Sequence, residues 1–154
     1  MTPDPFAALI PEARAFLADL ASHNTRDWFL KHKTQYEHTL KAPASLLLDQ
    51  MSFDLGRQRN QPMTPKLFRP HRDVRFSKDK TPYHTHLHMM WSSGPTGPAL
   101  FLGIAPDYVR VGGGVMQFDK TTLPAWRDAV AGAFGSKVQS LLDVLAQDGL
   151  IPDQ

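Results

Sequence analysis

Apolar residues at three- and four-residue steps open the chain. Phe6, Leu9, Ile10, Ala13, Phe16, Leu17 and Leu20 fall on one stripe and predict a helix ending near Ser22. Asn24 or Thr25 is placed to cap a second helix over RDWFLKHKTQYEHTL, with Trp28, Phe29, Tyr36 and Leu40 as its apolar positions. Pro43 stands where a third helix can begin, because proline is tolerated in a first helical turn, and Leu46, Leu47, Met51 and Leu55 carry that helix on. The next stretch, GRQRNQPMTP, is polar and punctuated by Pro62 and Pro65, which predicts a loop.

From Leu67 the period changes to two. Phe68, Val74 and Phe76 predict one strand, and Tyr83 to Trp91 predict another after the SKDKTP turn. GPTGP separates this from ALFLGI, and APDYVRVGGGV supplies a tight connection and a further strand with a glycine-rich exit, about four strands in all. Helical spacing returns in LPAWRDAVAGAF and SKVQSLLDVLAQDG, with Gly149 placed as a C-terminal stop. Elements grouped in this way, rather than alternating, predict an α+β fold: N-terminal helices, a central and mainly antiparallel sheet, then C-terminal helices. A chain of 154 residues has the length of a single domain, 1–154, able to bury roughly two-thirds of its unfolded surface.

Composition narrows the class. With 42% hydrophobic and 21% charged residues the chain is ordinary for a globular protein, and no apolar run reaches the ~20 residues needed to cross a bilayer. The amino end has an acidic residue and no basic segment before its apolar stretch, unlike a secretory signal, so a cytoplasmic protein without a membrane partner is expected. The absence of cysteine excludes disulfides, thiolate zinc sites and a cysteine nucleophile.

Charge is concentrated. Lys66 to Lys80 holds six Lys/Arg against two Asp, a local excess of +4 in a chain whose net charge is +2. A single basic segment suggests a defined patch that focuses field on an anion, whereas a uniformly basic chain would suggest coating of nucleic acid. Within it, Arg69, Arg72 and Arg75 offer bidentate grips for carboxylate or phosphate, and Lys78 and Lys80 offer mobile point charges. Ser77, Thr81 and backbone N–H groups complete an anion cradle, and Tyr83 closes the ligand-binding set. Asp73 and Asp79 have an alternative use, neutralising their neighbours in a salt-bridge ladder that needs no ligand. On a regular strand Arg72 and Arg75 point to opposite faces, while Arg75 and Asp73 share one and are placed to pair. Asp79 is expected to order the turn by accepting a backbone N–H two residues on.

FRPHRDVRFSKDKTPYHTH, with NTRDWFLKHKTQYE upstream and VRVGGGV downstream, resembles the uncharacterised family known as domain of unknown function 2461, over about residues 16 to 150. The resemblance implies no activity, because none is established for the family. It marks as the family's motif Arg69, Arg72, Asp73, Arg75, Phe76, Ser77, Lys78, Asp79, Lys80, Thr81, Pro82 and Tyr83 in the centre, Trp28, Phe29 and Tyr36 upstream, and Gly113 and Gly114 downstream. Two departures are that the family usually has Lys where this chain has His84, and that relatives run on for tens of residues beyond Gln154.

His84, His86 and His88 share one face if YHTHLHMMW is a strand, a geometry suited to a divalent metal. A metal site also needs oriented ligands, and no carboxylate partner can be assigned. The expectation is therefore no metal, and a polar outer face opposite an inward row of Tyr83, Leu87 and Met89. RVGGGV lacks the GxGxxG spacing of a dinucleotide loop, so its glycines are expected to serve a sharp turn or a close backbone approach. Trp28, Phe29 and Tyr36 lie at helical spacing and are expected in the core.

Three functions compete. The first is binding of a phosphorylated or carboxylated small molecule at the basic turn; were it catalytic, Lys78 or Lys80 would stabilise charge and Asp73 or Asp79 would act as base. The second is a nucleic-acid-binding module in which Tyr83, Phe76 or Trp91 stacks on bases. The third is a structural or protein-interaction domain. No Ser-His-Asp arrangement can be assembled, and the residues name no cofactor, reaction or oligomeric state.

Overall fold

A computed structural model describes residues 4–152, in two compact units, Met1–Gly114 and Val115–Gln154. In the first, helix α1 (Leu9–Ser22) buries Leu9, Ala13, Phe16, Leu17 and Leu20, the stripe that the spacing predicts. Helix α2 (Arg26–Gln35) is capped by Thr25, whose hydroxyl accepts from the Trp28 N–H at 3.2 Å. This satisfies one of the orphan donors of the first turn and leaves Asn24 free for another task.

Helix α3 (Ala42–Arg59) begins with Pro43 in its first turn, as the sequence predicts, but no gap separates it from the helix before it. A π-helical turn (Tyr36–Lys41) joins α2 directly to α3, and the Ala42 N–H reaches back five residues to the Glu37 carbonyl. Pro43 has no N–H to give the carbonyl four residues before it, and the widened turn accommodates that loss without ending the helix. Helix α3 ends at Asn60, which adopts a left-handed conformation at φ 49°.

Four strands follow in antiparallel order β1-β2-β3-β4: β1 (Thr64–Leu67), β2 (Leu87–Ser92), β3 (Ala99–Ile104) and β4 (Val109–Gly114). The α+β class and the N-terminal helix, central sheet and C-terminal helix order are as the sequence predicts. The strand boundaries differ. Part of the predicted loop forms β1, where Pro65 is tolerated because β1 is an edge strand with one side free of ladder bonds. The strand predicted over Phe68, Val74 and Phe76 is absent: Phe76 is 96% exposed and the segment bends. Pro70 and Pro82 lack the N–H groups that a continued ladder needs, so beyond Phe68 the pairing shrinks to one bridge, His71 with Tyr83, and β2 begins at Leu87 instead of Tyr83.

Alternation along β2 decides what each face does. Leu87, Met89 and Trp91 are buried with Leu48, Leu40 and Phe16 in one core, and the Trp91 indole N–H donates to the Leu48 carbonyl at 3.0 Å. His88 and Met90 point the other way, toward the face that carries Phe101 of β3. Phe29 and Tyr36 are core residues as expected, and Trp28 is half-buried against them with His32 stacked on its ring at 3.9 Å.

In the second unit, α4 (Thr122–Ala131) is preceded by Asp119, whose carboxylate accepts the Thr121 and Thr122 N–H groups at 3.0 and 2.6 Å. Helix α5 (Gly135–Gln147) closes at Gly149, where φ is 79° and the Leu150 N–H returns to the Leu145 carbonyl, the stop anticipated for that glycine. No helix among the described residues is long and apolar enough to cross a membrane.

Candidate functional site

The basic segment is a loop pinned at its base. The Arg72 N–H donates to the Pro82 carbonyl at 2.9 Å, and the His84 N–H donates to the Pro70 carbonyl at 2.7 Å, on either side of the His71–Tyr83 bridge. Asn24 completes the base from the α1–α2 connection: its amide accepts from the Tyr83 N–H at 3.1 Å and donates to the Tyr83 carbonyl at 2.9 Å. It thus stands in for a neighbouring strand. The Tyr83 ring is buried and stacked on Phe29 at 4.1 Å, with His71 tilted beside it at 5.1 Å.

Tyr83 therefore anchors the loop from the core and does not present its ring to a ligand. The same holds for Trp91, so of the three aromatic residues expected to stack on bases only Phe76 is exposed.

Because an antiparallel bridge alternates faces, Pro70, Arg72, Pro82 and His84 share the side opposite to the inward-facing His71 and Tyr83. Arg72 is fixed there. One guanidinium nitrogen donates to Asp79 Oδ2 at 2.6 Å, to the Thr81 hydroxyl and to the Thr81 carbonyl at 3.1 Å. Asp79 also accepts the Thr81 N–H at 2.9 Å and its hydroxyl at 3.0 Å, the two-residue return expected of it. These N–H and guanidinium donors favour its ionised form and hold its carboxyl at about 2.

Asp73 and Arg75 form the second pair, at 2.7 Å, and Asp73 additionally accepts the Arg75 N–H at 3.2 Å. The pairing expected on a strand thus arises in a bend. Bonds from the Arg75 side chain and backbone hold the Asp73 carboxyl below its ordinary value. Lys80 turns back to donate to the Val74 carbonyl at 2.9 Å. Arg72, Arg75 and Lys80 thus each engage a different partner, while Arg69 and Lys78 make no side-chain hydrogen bond or ion pair among the described residues. Ser77 donates its backbone N–H to the Val74 carbonyl at 3.3 Å, within the bend.

A row of imidazoles continues from Arg72. The His84 and His86 ring centroids are 4.7 Å apart, those of His86 and His88 3.7 Å apart and nearly parallel, and His88 Nε2 meets the Tyr108 hydroxyl at 2.9 Å. The described residues contain no group of three or more His, Asp or Glu placed to hold a metal. Burial, reinforced by neighbouring cations, lowers the pKa of all three, His86 to about 4. For His84 the cations are Arg72 and Arg69. Gly103 lies beneath the row: a Cβ there would come within 2.9 Å of the Phe101 ring and 3.2 Å of His88, so a side chain would push the rings apart.

Asn24, Tyr108 and Arg14 carry no local signal that marks them. Asn24 acts on a residue 59 positions away, and Arg14 ties α1 to the β3–β4 turn through the Pro106 carbonyl at 2.6 and 3.1 Å.

The model of a family described as conserved hypothetical protein DUF2461 matches residues 12–150. The chain belongs to that family. No curated protein and no solved structure matches it. In this DUF2461 chain the pinned loop coincides with the motif that carries the resemblance, and the pairing within it divides the motif into residues that shape the loop and residues that remain available.

A test of that division is expected to separate two substitutions. Asp79→Asn retains an acceptor for the Thr81 N–H and weakens only the ionic hold on Arg72, whereas Asp79→Ala removes the turn's acceptor altogether. Hydrogen exchange at Thr81 should therefore accelerate several-fold in Asp79→Ala and little in Asp79→Asn. Equal acceleration in the two would mean that charge, not the turn bond, orders the loop.

Proposed function

We propose that the Arg69–Tyr83 loop binds a phosphorylated or carboxylated small molecule. The observation that carries this reading is the inequality of pairing: the loop's two carboxylates are committed to Arg72 and Arg75, while Arg69 and Lys78 have no such partner among the described residues. Cations outside the ion pairs, on a loop whose base is fixed by four hydrogen bonds, present charge at little further backbone entropic cost, a condition that favours selective anion binding. Arg72 contributes direction as well as charge, since Asp79 and Thr81 hold it in place.

Neither Asp73 nor Asp79 fits the role of a general base. Both are held in the ionised form below the ordinary carboxylate range, far from the near-neutral pKa that suits proton transfer. Their place in the reading is to shape the loop, which makes binding the activity proposed.

Titration with citrate and with inorganic phosphate, followed by amide shifts and by calorimetry at low and moderate salt, tests the reading. Saturable shifts clustered on residues 69–84 are expected, weakening with salt. Arg69→Glu should reduce affinity by about tenfold, close to 1.4 kcal/mol, while leaving the melting temperature nearly unchanged because Arg69 is exposed. Shifts that never saturate, or that spread evenly over all basic residues, would overturn the assignment.

A further inference from the structure

The outward face of the loop base does not end at Arg72. His84 sits diagonally across the bridge from it, and from His84 the rings of His86 and His88 continue without a gap to the Tyr108 hydroxyl. Such a row is unusual in its surroundings. The groups facing it are Arg69 and Arg72 on the loop side, the latter already paired with Asp79. On the sheet side they are Tyr108, with Asp107 beside it and the Arg110 guanidinium over its ring at 4.9 Å. Phe68 and Phe101 present their edges to His88, and Lys66 lies over the Phe68 ring at 4.6 Å. Among the described residues no carboxylate makes an ion pair with any of the three imidazoles.

We propose that an oxyanion seated against Arg69, Arg72 and His84 is bound together with a proton taken up by the His84–His86–His88 row, so that the site loads more strongly as the medium acidifies. The inference rests on the anion-binding reading and extends it to the ligand's charge and to its regulation.

The physical reason is linkage. In the free protein, burial and the two guanidinium charges disfavour an imidazolium at His84. An anion placed between these cations cancels their repulsion and offers the imidazolium N–H an acceptor, so the bound state favours the proton that the free state rejects. A ligand that raises the proton affinity of a site must itself bind more tightly when protons are abundant. His86 and His88 limit the response: stacked on one another, they repel a second and third charge, so uptake stops near a single proton. The coupling favours anions of two or more negative charges, which leave charge for the imidazolium after meeting the guanidinium groups.

Sulfate is the probe, because it does not titrate in the range of interest. The whole chain and its His84→Gln variant would be titrated with sulfate between about pH 7.5 and pH 5.5, with calorimetry in two buffers of unequal ionisation enthalpy and with the His84 ring followed by NMR. Expected for the native chain is an affinity that rises about fivefold or more across this range, with uptake of up to about one proton and an upward move of the His84 titration at saturation. In His84→Gln, which keeps a hydrogen-bonding group, the pH dependence should fall below about twofold. Sulfate binding with no proton uptake, or a pH dependence that survives in His84→Gln, would overturn the inference while leaving the anion-binding reading intact. No saturable binding at any pH would overturn both.

Discussion

Replacing Asn24 by alanine is expected to lower the thermal midpoint by about 5 to 10 °C and to weaken anion binding in the same variant. Asn24 contributes nothing to the core and lies outside the loop, yet both polar groups of the Tyr83 backbone depend on its amide. Alanine leaves a half-buried N–H and a half-buried carbonyl without partners. At about 1 to 1.5 kcal/mol each, with some relief from water, the loss comes to about 2 to 3 kcal/mol, and for a chain of this size about 2 to 4 °C accompanies each kcal/mol. Binding should suffer because the strand segment that carries Arg72 and His84 is no longer held against the helical layer. Asn24→Asp keeps an acceptor for the Tyr83 N–H but sets a carboxylate against the Tyr83 carbonyl, so it should be no more stable than the alanine variant. Melts of the three proteins by circular dichroism check this; an alanine variant melting within about 1 °C of the native chain would show that water replaces the amide at no cost.

Acidification from about pH 7 to pH 4 in the absence of a bound anion is expected to destabilise the protein, and the histidine row sets the window. The sign follows from the direction of the shifts. His84, His86 and His88 all have folded-state values below the ordinary 6.5, so between the two values the unfolded chain binds more protons than the folded one. Stability is therefore fully present above about 6.5 and is lost as the pH falls, for His86 down to about 4. Solvent screening at a half-exposed ring reduces the His86 contribution to about 1 to 2 kcal/mol. Asp79 and Asp119, each held at about 2, act in a separate and lower window, where their own stabilisation disappears as they are protonated. His86→Phe keeps a ring in the stack and removes the proton site. The melting temperature of the native chain should drop by several degrees between about pH 7 and pH 4.5, and that of His86→Phe by clearly less. Parallel curves would place the acid sensitivity elsewhere.

Helix α1, the inward row of Tyr83, Leu87 and Met89, the stop at Gly149 and the turn-ordering role of Asp79 were all legible in the sequence, because each is a pattern within one stretch of chain with a single cause. The strand expected over Phe68, Val74 and Phe76 failed on the same ground. Alternation is a local signal, but a ladder requires a partner with free N–H groups, and Pro70 and Pro82 removed them. Of the candidate site, the pairing of Asp73 with Arg75 could be anticipated from spacing. The clamp of Asp79 and Thr81 on Arg72 could not, since it depends on the loop folding back over seven to nine residues. The inward side of Tyr83 follows from its alternation with Leu87 and Met89, whereas what it packs against does not. The stack on Phe29, 54 positions earlier, is a contact that no local pattern shows.

The π-helical turn between α2 and α3 shows that some of this fold is specified by number, not by chemistry. Tyr36, Leu40, Ala44 and Leu48 recur at steps of four and are all buried, although at about 100° per residue a uniform α-helix would carry such a series steadily off one face. The wider turn absorbs the excess, so the chain between Phe29 and Leu48 holds more residues than an unbroken α-helix of that length would use. What brings the Leu48 carbonyl beneath the Trp91 indole is thus a count. Substitutions along Tyr36–Lys41 change side chains and leave that count alone, whereas an insertion or deletion of one residue alters the phase of everything that follows in α3, which gives this stretch a sensitivity to length that no single residue within it reveals.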